Sequence, residues 1–228
     1  GVYLGVFAEN LNPVALAVDG NGSVFVADDF SGCIHWFTES GFYLGTVAWG
    51  FDSLKDVVFD KKSGSLLAVG RTGGDIFRIT LAGDVSTFAS SDIPFISQIA
   101  VDSTGRVFAT DPFRNQIKLF DSAGNDLGAF VSGKQCFGAV CDSMDQLHIR
   151  DNITCKVLTY DRNGNYVRTM NKIVGLGTFL SVDAFDNILA PGQFMTSSRM
   201  RLFSNGGNWL GDTYFYEAWS ATEVVVID

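Results

Sequence analysis

Residues 98–124 read QIAVDSTGRVFATDPFRNQIKLFDSAG. An apolar run ends at Asp102, a Gly-containing turn follows, and a second, alternating run ends at Asp111. A third run then ends in a turn at Gly124. Alternation with a period of two, interrupted by short turns, is typical of antiparallel β-strands. The stretch therefore predicts three strands joined by hairpins.

The same pattern returns along the whole chain. An apolar run that ends in Asp occurs six times, at intervals of 41, 42, 40, 41 and 45 residues. The six terminal residues are Asp19, Asp60, Asp102, Asp142, Asp183 and Asp228. Each of the first five copies continues with a second strand, a third strand that ends in a Gly turn, and a fourth strand. A fixed period of this length identifies a repeat architecture.

Four antiparallel strands in about 40 residues correspond to one blade of a β-propeller. A single sheet of this size cannot bury both of its faces alone, so it must pack against neighbouring sheets around a ring. The sequence therefore predicts an all-β fold, organised as one propeller domain that spans residues 1–228.

The repeat resembles the NHL family of β-propellers. Residues 94–133 match best, since they contain QIAVD, GRVFATD with Asp111, Asn115, QIKLFDSAG and LGAFVSG in the family's order. The second blade (VGRTGGDI) and the fifth (PGQFMTSSRM) depart from the family's Asp and Asn at the hairpin between strands two and three. The resemblance covers nearly the whole chain and implies a propeller fold, but it names no ligand.

The phase of the repeat predicts five complete blades and a partial sixth. Residues 1–10 align with residues 41–50, an outer fourth strand, and the chain finishes on VVVID, an inner first strand. A sixth blade built from these ends would lack its two middle strands, and unpaired backbone groups would result. Either the ring has five blades, or a second chain or a removed segment donates the missing strands.

The charge distribution argues against a nucleic-acid partner. The net charge is −9, and residues 1–54 and 202–228 together contain ten acids and neither Lys nor Arg. Affinity for a phosphate backbone comes mainly from Lys and Arg, so RNA binding, which is known for some NHL domains, is disfavoured. No apolar run approaches the ~18 residues that a membrane span needs.

Catalysis has no positive support in the sequence, and no cofactor, metal ligand or catalytic residue is predicted. The chain contains two His residues, His35 and His148, which fall on different blades, whereas zinc sites usually need three protein ligands. The recurring Asp at the end of each inner strand could hold a calcium ion. We expect these Asp side chains to bond backbone amides of the following turn instead.

Two further features bear on the compartment. Cys136 and Cys155 should lie at one rim of the fourth blade, which allows a disulfide, with free core thiols as the alternative. Asn21-Gly-Ser and Asn152-Ile-Thr match the glycosylation acceptor pattern in predicted hairpin turns. Together these features slightly favour a secreted or extracellular location.

The aromatic residues are concentrated in the two acidic ends of the chain. Ring closure would make these ends neighbours, and Trp and Tyr are enriched at binding hot spots. The predicted interface residues are Tyr3, Trp36, Trp49, Trp209, Tyr214, Tyr216 and Trp219. Packing between blades is the alternative role for the same side chains.

These observations favour a non-catalytic scaffold that binds another protein, or further copies of itself, through its loops and its acidic aromatic seam. The rival function is a metal-dependent hydrolase or lyase that works in the central channel of the propeller. Fold alone does not separate them, because propeller specificity lies in the loops.

Overall fold

The computed structural model describes residues 7–70, 73–174, 178–194 and 197–215. Within these ranges the chain forms five four-stranded antiparallel sheets, and in each sheet the strands lie side by side in chain order. The five complete blades predicted from the repeat are thus confirmed. The predicted partial sixth blade comprises residues 1–10 and 221–228, of which the structure describes only residues 7–10.

The strands of the first two blades are β1 (Pro13–Val18), β2 (Ser23–Asp28), β3 (Cys33–Thr38), β4 (Tyr43–Ala48), β5 (Leu54–Asp60), β6 (Ser65–Gly70), β7 (Asp75–Ile79) and β8 (Val85–Ser90). Those of the third and fourth blades are β9 (Ile99–Val101), β10 (Val107–Asp111), β11 (Gln116–Phe120), β12 (Asp126–Ser132), β13 (Cys136–Cys141), β14 (Leu147–Asp151), β15 (Lys156–Tyr160) and β16 (Tyr166–Thr169). The fifth blade has β17 (Ser181–Val182), β18 (Ile188–Phe194), β19 (Ser197–Phe203) and β20 (Trp209–Phe215).

Burial is greatest in the second strand of a blade and least in its outer strand. The second strands β10 and β14 are buried at every position, because both of their faces pack against neighbouring blades. The outer strands β8 and β12 are exposed at most positions. Apolar clusters fill the spaces between adjacent sheets, and in the space between blades one and two Phe25 stacks on Phe59 with ring centroids 6.0 Å apart.

The Asp at the end of each described inner strand caps its own turn. In blade three, Asp102 Oδ1 accepts bonds from the backbone N–H groups of Thr104 at 2.9 Å and Arg106 at 3.0 Å. Equivalent pairs of bonds reach Asp19, Asp142 and Asp183, and Asp60 accepts from the backbone of Lys62. The predicted turn-capping role is confirmed for these five carboxylates, because an Asp side chain two residues before an N–H closes such a turn.

The turn between strands three and four of each blade presses a glycine against the outer strand of the preceding blade. A Cβ added at Gly124 would overlap the carbonyl oxygen of Phe88, and one added at Gly83 would lie 3.0 Å from that of Val47. Gly41 meets the carbonyl oxygen of Phe7 in the same way, at 2.8 Å. Phe7 therefore has the same position relative to blade one that Phe88, on the outer strand of blade two, has relative to blade three.

No helix among the described residues is long and apolar enough to cross a membrane.

We predict that Gly124→Ala destabilises the fold far more than Gly128→Ala. Both glycines have φ 88, so either substitution forces a Cβ into the left-handed region at a cost of about 1 kcal/mol. Nothing lies within 4 Å of a Cβ at Gly128, whereas the one at Gly124 meets the preceding blade. Urea unfolding should show that Gly124→Ala lowers the free energy of unfolding by about 1–3 kcal/mol more than its control. Equal losses would mean that the close approach of the blades is unimportant.

Candidate functional site

One rim of the propeller, here called the loop face, carries the hairpins between the second and third strands and the connections between blades. In blades one, three and four, hydrogen bonds tie the hairpin to the connection that leaves the same blade. The N–H groups of Phe51, Lys134 and Val174 donate to the carbonyls of Gly32, Asn115 and Cys155, at 3.2, 3.0 and 2.8 Å. The loop face is therefore a braced surface and not a set of independent loops. The opposite rim is here called the turn face.

The three fully described hairpins of the loop face share one construction. Each begins with an Asp whose side chain accepts bonds from the turn: Asp28 from Phe30 N–H and Ser31 Oγ, Asp111 from Arg114 N–H, and Asp151 from Ile153 N–H and Thr154 Oγ1. Each has a left-handed residue at its fifth position, namely Gly32, Asn115 and Cys155. The Asp residues of the sequence repeat thus shape these hairpins and do not project from them.

The third residue of each of these hairpins is a large apolar side chain that points into solvent. Phe30 is 89 % exposed, Phe113 is 72 % exposed and Ile153 is 67 % exposed. Trp49 and Ile173, on the connections that leave blades one and four, are exposed on the same face. Exposed large apolar groups that share one face identify it as a candidate interaction surface.

Sequence reasoning missed these tip residues, although a signal was present. The offset from the hairpin Asp is two residues in all three copies, in DDF, DPF and DNI. The packing of the repeat does not require an apolar side chain at this position of the hairpin. Its recurrence therefore points to a role outside the fold.

Near the centre of the ring, at the loop face, polar side chains make contacts across blades. Gln98, from blade three, accepts bonds through Oε1 from Ala139 N–H at 2.9 Å and Leu180 N–H at 3.1 Å, and donates through Nε2 to the Leu180 carbonyl at 3.0 Å. Asp56, from blade two, accepts a bond from Ile99 N–H at 2.7 Å. Lys55 Nζ lies 4.6 Å from the ring centroid of Phe179, on blade five. These contacts join the inner strands of blades two to five.

Burial raises the pKa of Asp56 to about 7, against the N–H bonds from Ile99 and Val57 and the charge of Lys55, which lower it. The side chain is fully buried, so the desolvation of the carboxylate dominates. Asp56 is thus protonated in the folded chain at mildly acidic pH.

Arg150 explains why the fifth blade departs from the repeat. Its guanidinium is fully buried and donates to the carbonyls of Phe179, Pro191 and Val174. Burial lowers the pKa of Arg150 to about 10. A Cβ on Gly192, which replaces the hairpin Asp of blades one, three and four, would overlap the Val174 carbonyl and lie 2.9 Å from the guanidinium. The glycine therefore makes room for the arginine.

The two histidines have structural environments on separate blades. His148 is fully buried and lies between Asp142 Oδ2 at 3.1 Å and Thr159 Oγ1 at 3.0 Å. This arrangement has the atoms of a catalytic triad, but no substrate can reach a hydroxyl that is fully buried. His35 lies within 3.2 Å of Thr46 Oγ1 on blade one. In the described part of the chain, no three His, Cys, Asp or Glu residues are grouped to hold a metal ion.

The structure places Cys136 and Cys155 as free thiols, the stated alternative to a disulfide, and the other two cysteines are free as well. Cys136 pairs with Asp151, which in turn pairs with Lys156, directly after Cys155. The two cysteines thus lie on either side of β14, roughly 10 Å apart, which exceeds the reach of a disulfide. Sharing a rim is not enough when a strand lies between them.

The described members of the predicted aromatic interface lie on blades one and five. Trp36 and Trp49 line a groove of about 340 Å³ between blades one and two. Trp209 lies on β20, where Lys172 Nζ sits 4.1 Å from its ring centroid and its Nε1 donates to Asp212. Tyr214 is on the same strand, but its side chain is outside the description. Tyr3, Tyr216 and Trp219 lie outside the described residues.

The two glycosylation candidates differ in exposure. Asn21 is exposed in the turn between β1 and β2. Asn152 is half-buried in a loop-face hairpin, and its Oδ1 is buried. Modification of either residue stays a prediction.

Comparison with solved structures agrees with the architecture. A chain in the crystal structure of a nidogen/laminin complex has a TM-score of 0.78 and 13% identity, with 91% of this chain and 81% of that chain covered. The fold is that of a β-propeller. A protein of unknown function from Bacteroides caccae (TM-score 0.66, 11% identity, 91% and 83% covered) and virginiamycin B lyase from Staphylococcus aureus (0.65, 14%, 93% and 72%) are also similar. No family model and no curated protein matches the chain.

We predict that Asp56 makes the fold less stable as the pH rises from about 4 to about 7. The carboxyl has a pKa near 3.8 when unfolded and about 7 when folded. Between these values the folded state holds a proton that the unfolded state has lost, so the free energy of unfolding falls with pH. The loss relative to Asp56→Asn should reach up to about 4 kcal/mol, since one pKa unit corresponds to ~1.4 kcal/mol.

Urea unfolding between pH 4.5 and 7.5 measures this difference. Asp121→Asn is the control, because the Asn125 side chain lowers the pKa of the exposed Asp121 and any effect of that carboxyl falls below this range. Parallel pH profiles for the wild type and Asp56→Asn would contradict the prediction.

Proposed function

We propose that this chain is a non-catalytic interaction scaffold whose loop face binds another protein. The observation that carries the proposal is the recurrence of a solvent-facing apolar side chain, Phe30, Phe113 or Ile153, at the same position of three braced hairpins. Water contact with such groups is unfavourable. Their burial by a partner would supply the binding free energy.

The construction of the hairpins supports a binding role. Each tip is held by an Asp cap and by a bond to the neighbouring connection, so little conformational entropy is lost when a partner docks. The Phe113 ring is oriented further by an edge contact with Phe95, at a centroid distance of 6.0 Å. Rigid aromatic side chains are the groups that dominate interface energetics.

The comparisons are compatible with this role without establishing it. One similar structure is that of a complex between two proteins, nidogen and laminin. A propeller fold can therefore serve protein recognition. The similar lyase has the same architecture, so the argument for binding comes from the tips of this chain and not from its fold.

Site-specific photocrosslinking tests the proposal. A benzoylphenylalanine placed at position 30 or 113 should crosslink the same protein in an extract of the source cells or their surroundings. The matched control is position 185, because Phe185 is 78 % exposed but lies on the turn face. A second copy of this chain would count as that protein, and light scattering would then show a concentration-dependent oligomer.

Binding of the purified partner then measures the contribution of the tips. Phe30→Ser with Phe113→Ser should weaken binding about tenfold or more, as expected for hot-spot aromatics, while Phe185→Ser should leave the affinity unchanged. Equal crosslinking at position 185, or equal affinities of the two variants, would contradict the proposal. Sedimentation with phosphatidylcholine vesicles that depends on Phe30 and Phe113 would instead assign the face to a lipid surface.

A further inference from the structure

A second candidate surface lies on the side of the propeller, away from the loop-face tips. It is the groove between blades one and two, about 340 Å³ in volume, here called the side groove. Four apolar side chains and one acid define its chemistry, together with Trp36 at its base: Leu44, Val47, Trp49, Leu81 and Asp84.

The side groove exists because the packing of blades one and two is looser at this point than that of blades two and three. A Cβ added at Gly83, in the turn of blade two, would lie 3.0 Å from the Val47 carbonyl oxygen. A Cβ added at Gly124, in the turn of blade three, would overlap the Phe88 carbonyl oxygen. Trp36 lies opposite Gly45, which has no side chain to fill the space beside it. A shallow aromatic depression is left open to solvent.

The next blade shows what chemistry suits this position. Arg78 occupies the place in β7 that Trp36 occupies in β3, since it pairs with Ser86 as Trp36 pairs with Gly45. Its guanidinium lies over the Phe88 ring at 4.7 Å and within 3.5 Å of Asp60 Oδ2. Within blade two, the chain thus supplies its own cation to an aromatic ring and a carboxylate of the same sheet.

The side groove offers an aromatic ring and a carboxylate without such a cation. Of the described residues that line it, only Asp84 is charged, and its exposed side chain accepts a bond from Thr80 Oγ1 at 3.1 Å. Trp49 is 71 % exposed. An indole face attracts Lys or Arg, as Lys172 over Trp209 shows elsewhere in this chain. Residues 1–54, which include all of blade one, contain no Lys or Arg that could fill the groove.

The backbone beside the side groove suits an extended ligand. β4 is the last strand of its described sheet and pairs with β3 along one edge. Its other edge presents backbone groups of the kind to which an extended peptide adds. Tyr43 and Leu44 are exposed there and provide apolar contacts.

The geometry points to the side groove as a docking site for an extended, basic segment of a protein partner, with a Lys or Arg side chain held between the Trp49 ring and the Asp84 carboxylate. This inference does not depend on the loop face, because the two surfaces share only Trp49. It adds a preferred partner chemistry, a cationic strand, to a chain whose net charge is −9.

A peptide titration followed by NMR of the tryptophan indole N–H signals tests the inference. The probe is an acetylated, amidated hexapeptide of alternating Val and Arg, and its control has citrulline, an uncharged analogue, in place of each Arg. We expect the arginine peptide to shift the Trp49 signal while the Trp209 signal stays in place. The citrulline peptide should bind at least about fivefold more weakly than the arginine peptide, because the lost cation–π contact is worth ~1 kcal/mol.

Matched variants separate the side groove from general charge attraction. Asp84→Asn and Trp49→Ala should each weaken the arginine peptide about fivefold, and Asp75→Asn and Trp209→Ala should leave its affinity within about twofold. Asp75 is exposed in the same blade but outside the groove. All four replaced side chains are wholly or partly exposed, and equal unfolding midpoints would verify that each variant folds.

Three results would overturn the inference: equal binding of the arginine and citrulline peptides, equal losses for Asp84→Asn and Asp75→Asn, or an unmoved Trp49 signal at millimolar peptide. Because Phe30 and Phe113 take no part in this experiment, its failure would leave the loop-face proposal standing. Failure of the crosslinking at those tips would likewise leave the side groove untouched.

Discussion

A four-stranded blade has two apolar faces and can remove both from water only by lying between two other blades. All other features of this molecule follow from that packing constraint. The second strands, which lie deepest, are buried at every residue in β10 and β14, and the outer turns approach so closely that a glycine is needed at Gly124. Stability comes from the contacts between the faces of adjacent sheets. The loops at either rim are therefore not needed to form the core, and their residues can serve other roles.

The ring is regular at its periphery and irregular at its centre. Equivalent positions at the start of the inner strands hold Asp56, Gln98, Gly138 and Phe179, four residues with no common property. Each fits a different neighbour: Gln98 spans to blades four and five, and Gly138 is small because the backbone of Phe179 and Leu180 lies 3.0–3.2 Å from where its Cβ would be. Near the axis the blades meet several partners at once, so the repeat cannot be kept.

This difference explains how far the sequence could be read. The blades, their strand order and the Asp-capped turns occur in every copy of the repeat. Comparison of the copies is therefore enough to predict them. The role of Gly192 and the burial of Asp56 were invisible, because each depends on one partner that is distant in sequence, Arg150 in the first case and Ile99 in the second. The choice between a disulfide and free thiols depended on a related feature: the rim on which Cys136 and Cys155 lie was predictable, but the strand that separates them had to be counted. The tips Phe30, Phe113 and Ile153 did repeat, and their constant offset from the hairpin Asp was sufficient to predict them.

The uniform construction of the loop-face hairpins has an evolutionary consequence. Residues 28–32, 111–115 and 151–155 have the same length, an Asp at the start and a residue in the left-handed conformation at the end. These hairpins are structurally equivalent. The residue at the tip of one hairpin can therefore change without altering the sheet beneath it or the neighbouring hairpin. Binding specificity can therefore change one blade at a time. Single substitutions at the tips are enough to change it, while the propeller fold stays the same.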